Sequence, residues 1–379
     1  VTLKLKTMET TKSKKILVTG GCGFVGSHLI EAILKTTDWE ITTLDRFDAA
    51  GNPNRLEDML ANTPNIDRKR VKFVFWDLKA ELNKEVIKQL DGPFDYIAHL
   101  AAGSHVDRSI EYPLSFFMDN TIGTVNLLNY AKEGGLMLHD VHVGEKGEAH
   151  VRQGIPKFLY FSTDEVFGPA PFDMEGGYKE WDRLNPNNPY AAAKAAAEMA
   201  VLSYANTYRI PCVITNCMNI FGERQDPEKF IPMVISKSLN GGKILIHANK
   251  DRTQAGKRHY LHARNIAAAT IWALENGNCL DGSATQGRYN VVGDVEIDNL
   301  ELARMIEGIV HEWQSKHGEI SKILECELVD FHSSRPGHDL RYALDGTHLR
   351  EEGFSYPADF ETSLKKMVYW TLDHKDKWL

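Results

Sequence analysis

This sequence has few cysteines, no long apolar run and no excess of positive charge, and each shortage removes a class of explanation. The five cysteines, Cys22, Cys212, Cys217, Cys279 and Cys326, are odd in number, scattered, and include no C-x-x-C pair. A disulfide framework is therefore not expected and no metal site is assigned; a reducing, cytoplasmic setting is the simpler expectation. No stretch stays apolar for the length a membrane span requires. The opening VTLKLKTMETTKSKK is polar and basic without the apolar core of a secretory signal. The expectation is a soluble protein with no membrane partner. A formal net charge of -8 leaves no electrostatic footprint for nucleic acid, so an anionic ligand must be held by a local cluster. That favours a small-molecule site. No internal repeat indicates a solenoid.

What is present reads as α/β. At 379 residues, 42% of them hydrophobic, the chain fits one large unit or two lobes. Short apolar strands alternate with helical patterns. We expect a Rossmann-type doubly wound parallel sheet with a smaller α/β C-terminal substrate-binding lobe. The division is a mobile tail over 1–13, a dinucleotide-binding domain over 14–222 and a second lobe over 223–379, with some chain exchanged between them. A polar stretch from Leu136 to Gly154 carries His139, His142 and His150 and reads as an inserted surface loop in preference to a metal site.

The first chemical signal is a glycine turn. The strand Lys15 to Thr19 runs into Gly20, Gly23 and Gly26, and a helical pattern begins at Phe24 and continues through Val25 to Leu34. Glycines between strand and helix let backbone amides approach a pyrophosphate, and the helix N-terminus supplies partial positive charge. Asp45 ends the next strand, where a carboxylate accepts both ribose hydroxyls and repels a 2′-phosphate, so NAD is read in preference to NADP. Arg46 beside it argues the other way, because an arginine there can accommodate that phosphate. The strands Val71 to Trp76 and Tyr96 to Leu100 are apolar runs of the kind a parallel sheet covered on both faces requires. They deliver Asp77 and Leu78, then Leu100, Ala101 and Ala102, towards the same ligand. His105 and Asp107 follow, either lining the site or capping the helix that starts near Pro113.

The strand Lys157 to Phe161 leads into Ser162, Thr163, Asp164 and Glu165. Taken alone this tetrad is equally a capped turn and a set of reacting groups. Downstream, Tyr190 and Lys194 sit at i and i+4 of an alanine-rich helix and so share a face. A cation beside a phenol favours phenolate and makes Tyr190 a candidate general base. Beyond Gly222 the candidate ligand groups are Asn219 just before it, Lys229, Arg258, Arg335 and His338, with arginine suited to a diphosphate.

Taken in order, VTGGCGFVGSHL, DRFDAAGN, HLAAGSHVDRSI, FSTDEVFG, NPYAAAKAAAE, PEKFIP and RPGHDLRYALD resemble the extended short-chain dehydrogenase/reductase superfamily, and within it the dTDP-glucose 4,6-dehydratase family. The resemblance implies NAD-dependent dehydration of a nucleotide-diphosphate glucose to the 4-keto-6-deoxy sugar. It implies Tyr190 as the base at the 4-hydroxyl, Lys194 on the nicotinamide ribose and Thr163 on the sugar oxygen. Glu165 is implied as the base at carbon 5, and Asp164 as the acid at the departing 6-hydroxyl. It also implies a homodimer through a four-helix interface formed by about Pro113 to Lys132 and Tyr190 to Tyr208. The sequence departs from the family at Gly103, at Met218 and Ile220 around Asn219, and at GKRHYLH around Arg258. The last two changes touch the nucleotide-diphosphate end, where uridine-linked glucose is the competitor. An epimerase or decarboxylase acting on a nucleotide sugar, and an NAD-binding sensor without chemistry, are the rival readings. The Asp164-Glu165 pair weighs against the epimerase, and the whole set of acid and base groups against the sensor.

Overall fold

The computed structural model describes residues 13–48, 50–134, 154–283, 285–330 and 339–379. The expected tail up to residue 12, the expected loop with His139, His142 and His150, and Arg335 and His338 lie outside these residues.

Strand β1 (Lys15–Thr19) pairs in parallel with β2 (Glu40–Asp45) on one side and β4 (Tyr96–His99) on the other, while β3 (Val71–Phe75) follows β2 at the edge. Beyond β4 come β5 (Lys157–Thr163) and β6 (Cys212–Cys217). The order β3-β2-β1-β4-β5-β6 is completed by a seventh parallel strand, β10 (Arg288–Val291). Because side chains alternate along a strand, Ile16 and Val18 enter one core and Leu17 the other. Both faces of the central strands are thereby covered, and β4 is buried along its whole length. The edge differs from the expectation: Lys72, Phe73 and Phe75 of β3 are exposed and only Val74 is buried. An edge strand has a neighbour on one side only, and the helices centre their cover on the middle of the sheet.

Strands β7 (Asn219–Phe221), β9 (Lys257–His262) and β11 (Glu296–Asp298) form a second sheet, and β8 (Gly242–Ala248) pairs with β12 (Leu324–Asp330). They share a third core with Ile306, Val310 and Leu364. The chain crosses between the two regions more than once. After β9, the helix Ala263–Glu275 packs on the first helix, Phe24–Thr36, and β10 then joins the main sheet.

Two helices frame the site. Pro189–Tyr208 starts where Asn188 accepts the Ala191 amide at 2.8 Å, with proline in the first turn, and ends at Arg209 in the left-handed region. The stretch expected as one helix from Pro113 is interrupted: Pro113–Phe116 passes into a π-helical turn, Phe117–Ile122, before Gly123–Lys132 resumes the α-helix. Such turns rotate the side chains they contain relative to the helix on either side.

Candidate active site

The carboxyl ends of the main strands open on a cleft of about 750 Å³, lined by Gly20, Gly23, Phe24, Val25, Gly26, Asp45, Arg46, Asp77, Leu78, Leu100, Ala101 and Ala102. It extends to His105, Tyr190, Lys194 and Lys229. The glycine turn is built for close approach. Gly20 has φ +74°, and a Cβ there would stand 2.7 Å from the Ala101 nitrogen; one on Gly26 would stand 2.1 Å from the Gly20 oxygen. Gly23 occupies the N-cap of Phe24–Thr36 with no side chain to cap it, so the first helical amides face the cleft. Backbone donors at a helix N-terminus fit a pyrophosphate. Asp45 is fixed by the Cys22 amide on Oδ2 at 3.0 Å and the Phe47 amide on Oδ1 at 3.2 Å. These features fit an adenine dinucleotide.

Lys194 donates to the Phe161 carbonyl at 2.6 Å, and its ammonium stands 4.2 Å from the centre of the Tyr160 ring. Burial holds its pKa down to about 7. Tyr190 departs from the expectation. Its phenol is held well above the usual value, first by burial and then by the Glu165 charge, with the Thr163 hydroxyl opposing through a hydrogen bond. Desolvation of a phenolate outweighs the help of a cation one helical turn away, and the cation is itself weakened by burial.

At the end of β5 the tetrad forms a capped turn and also gathers a hydroxyl and two carboxyls in the interior. Thr163, rather than Asp164, is the cap: its hydroxyl accepts the Glu165 amide at 3.4 Å and begins the turn Asp164–Phe167. The same hydroxyl donates to Asp164 Oδ1 at 2.9 Å. The second oxygen of Asp164 is buried without a hydrogen-bond partner among the described residues. Burial, reinforced by the charge of Glu165, pushes Asp164 up to about 7. Glu165 is raised too, chiefly by burial, but it is better served: Asn188 donates to its Oε2 at 2.9 Å and the Tyr342 phenol at 3.3 Å. Two neighbouring carboxyls in unequal surroundings are the arrangement that separates an acid from a base.

The remaining candidates are spread around this centre. His105 lies at the start of Val106–Glu111, with Nε2 3.4 Å from Glu228, and Lys229 immediately precedes Phe230–Asn240. Asn219 is exposed on β7. Arg258 donates to the carbonyls of Lys257, Leu340 and Asp339 and stacks 4.6 Å from the Tyr342 ring. In this arrangement its fork braces the segment that carries Tyr342. Tyr342 and Asn188 are contributions that sequence reasoning missed, although they lie inside the motifs RPGHDLRYALD and NPYAAAKAAAE. A third is Glu198, one further turn along the helix from Lys194, fully buried and bonded by Ser162, Asn216 and Arg288.

Comparison with known proteins points the same way. The family model for GDP-mannose 4,6 dehydratase matches residues 17–367. The dTDP-glucose 4,6-dehydratase of Escherichia coli is 32% identical over 96% of this chain and 95% of its own. That of Neisseria gonorrhoeae is 33% identical over 98% of this chain and 99% of its own. Among solved structures, the dTDP-glucose 4,6-dehydratase of Streptomyces venezuelae, crystallised with NAD and TYD, superimposes with a TM-score of 0.72 at 29% identity, covering 96% of this chain and 98% of that one.

Proposed function

The chain belongs to the GDP-mannose 4,6 dehydratase family and, within it, to the dTDP-glucose 4,6-dehydratases, and from that membership we propose how its residues divide the reaction. The enzyme is an NAD-dependent hydro-lyase that converts dTDP-glucose to the 4-keto-6-deoxy sugar and water. The chemistry NAD supplies when bound is acceptance and return of one hydride. The glycine turn and the helix behind it hold its pyrophosphate, Asp45 its adenosine ribose and Lys194 its nicotinamide ribose.

Tyr190 takes the proton of the sugar 4-hydroxyl, with Thr163 bonded to the same oxygen; the positive charge of the nicotinamide, when bound, would oppose the burial that raises the Tyr190 phenol. The resulting ketone acidifies carbon 5, whose proton passes to Glu165. Asp164 delivers its own proton to the departing 6-hydroxyl, which leaves as water; return of the hydride at carbon 6 and of a solvent-exchanged proton from Glu165 at carbon 5 then gives the 4-keto-6-deoxy sugar. The observation that carries this assignment is the unpartnered Asp164 Oδ2: a buried carboxyl held near neutrality, with one oxygen unclaimed, is equipped to donate to a ligand.

The lobe over 223–379 is proposed to hold the nucleotide diphosphate, with Lys229, Asn219 and His105 at its mouth; Arg335 and His338, outside the described residues, are proposed as ligands from their sequence motif alone. A homodimer through residues 113–132 and 189–208 is supported by Leu114, Ile122 and Met199, which are exposed on those helices. A reducing cytoplasmic setting is supported by the five cysteines, all unpaired. Incubation with thymidine- and uridine-linked glucose in deuterated water, followed by NMR, tests the reaction. The expected product carries deuterium at carbon 5 and forms without net NADH; unchanged substrate or a carbon 4 epimer alone would overturn it.

A further inference from the structure

At the adenosine end of the cleft lies an ion cluster that no step of the dehydration uses. Arg46 directly follows Asp45 at the end of β2, the position from which an arginine can receive a 2′-phosphate. Three of its five N–H donors, one on each nitrogen, are already engaged by carboxylates. Nε donates to Asp48 Oδ2 at 2.6 Å, Nη1 to Asp119 Oδ1 at 2.6 Å and Nη2 to Asp119 Oδ2 at 3.1 Å. A second cation of the cluster, Lys79, stands 3.2 Å from Asp77 and 3.8 Å from Asp119. All of these residues line the cofactor cleft.

Asp119 lies in the π-helical turn Phe117–Ile122, and its side chain is only 8% exposed. Drawing Arg46 away towards a phosphate would strand a buried carboxylate without its bidentate partner, which is the expensive way to break an ion pair. At this end of the cleft the carboxylates of Asp45, Asp48, Asp77 and Asp119 outnumber the cations Arg46, Arg55 and Lys79. A second phosphate on the ribose would enter that field with the Arg46 fork already committed to carboxylates.

We propose that Asp119 is a specificity-determining residue, which sets the preference for NAD over NADP by holding Arg46 in a bidentate pair and so denying it to a 2′-phosphate. The inference rests on the cleft being the NAD site and adds the device by which the site discriminates.

Dissociation constants for NAD and NADP, read by calorimetry on the full chain, test it. The proteins are the wild type, Asp119→Asn, Asp119→Ser and the double variant Arg46→Ala/Asp119→Asn. The wild type is expected to prefer NAD. Either single variant should tighten NADP relative to NAD by about tenfold, a change of about 1.4 kcal/mol, and the double variant should lose that gain because the Arg46 guanidinium is gone. Circular dichroism identifies which single variant is folded, and a folded one suffices. An NAD-preferring wild type whose ratio is unchanged in the folded variants would overturn the role of Asp119 and leave the cofactor site standing. A wild type that binds no NAD would remove the site itself.

Discussion

Glu165 and Tyr342 are 177 positions apart in the chain and joined by a hydrogen bond, the phenol donating to Oε2 at 3.3 Å. The bond ties the strand end that carries the acid and base to a segment from the far end of the chain, and it stabilises the charged form of Glu165. Removing it with Tyr342→Phe leaves burial less opposed, so the Glu165 pKa rises further. A base must be ionised to act, and the ascending limb of the rate against pH should therefore move to higher pH. At neutral pH we expect about a tenfold loss in kcat, the worth of about 1.4 kcal/mol. Steady-state rates across a pH series check it, and an unmoved limb would show that Tyr342 only packs.

Glu165→Gln keeps the shape and the Asn188 contact but removes the base. Oxidation at carbon 4 needs Tyr190 and not Glu165, so reduced cofactor should accumulate on the enzyme while water loss stops. Near-ultraviolet absorbance of bound NADH reports the first half of the reaction, and deuterium at carbon 5 reports the second. Normal turnover by this variant would remove Glu165 from its role.

Asp164 works in its protonated form. Its pKa near 7 is raised above the usual carboxyl value by burial and the Glu165 charge, so the acid is present below that pH and is lost above it. The elimination rate should fall about tenfold per unit once pH exceeds this value. Asp164→Asn cannot donate as an acid, so the descending limb should disappear together with most of the rate, by about 10²–10⁴-fold. Rapid-quench measurement of water loss separates this from oxidation.

The parts of this site written into neighbouring residues were legible in the sequence. Gly20, Gly23 and Gly26 lie between a strand and a helix, Asp45 ends the next strand, and Tyr190 and Lys194 are fixed by helical spacing. Local periodicity carries such information. Contacts made by tertiary closure were not: the Tyr342 and Asn188 bonds to Glu165 join loops and strand ends that no spacing rule connects. The π-helical turn was equally hidden, because FMDNTI has ordinary helical periodicity. Yet that turn sends the Asn120 amide to both the nitrogen and the oxygen of Gly103, at 2.7 and 3.1 Å. It gives Gly103, which stood out only as a departure from the family pattern, a place in the cleft wall. The phenol of Tyr190 illustrates a third kind of gap, since a helical face shows that a cation is near but not that both groups are buried.

The proposed dimer makes a separate prediction. Leu114 is 74% exposed and Met199 45% exposed on the two stretches proposed to meet. Replacing both by glutamate places like charges in the shared face and should convert the dimer to a monomer on size-exclusion chromatography. A wild type that elutes as a monomer would refute the interface outright.

Glu198 supplies the last test, because it acts behind the site. It lies two helical turns beyond Tyr190 and one beyond Lys194, accepts from Asn216 at 2.7 Å and pairs with Arg288 at 3.1 Å, all in the interior. Arg288→Met would leave this carboxylate buried without its counter-ion, at a cost of about 3–5 kcal/mol in unfolding free energy. Pairing that change with Glu198→Gln should restore much of the stability, since no charge then remains to be compensated. The double variant should still be impaired in catalysis. The Glu198 charge is what opposes burial in setting the Lys194 pKa, so without it Lys194 falls below about 7 and is largely neutral at physiological pH. A neutral amine gives Tyr190 no cation, and activity should then recover towards lower pH, where Lys194 is protonated again. Denaturant unfolding together with a pH series of kcat separates the two effects: stability restored without this acid-side recovery would mean that Glu198 is only a partner for Arg288.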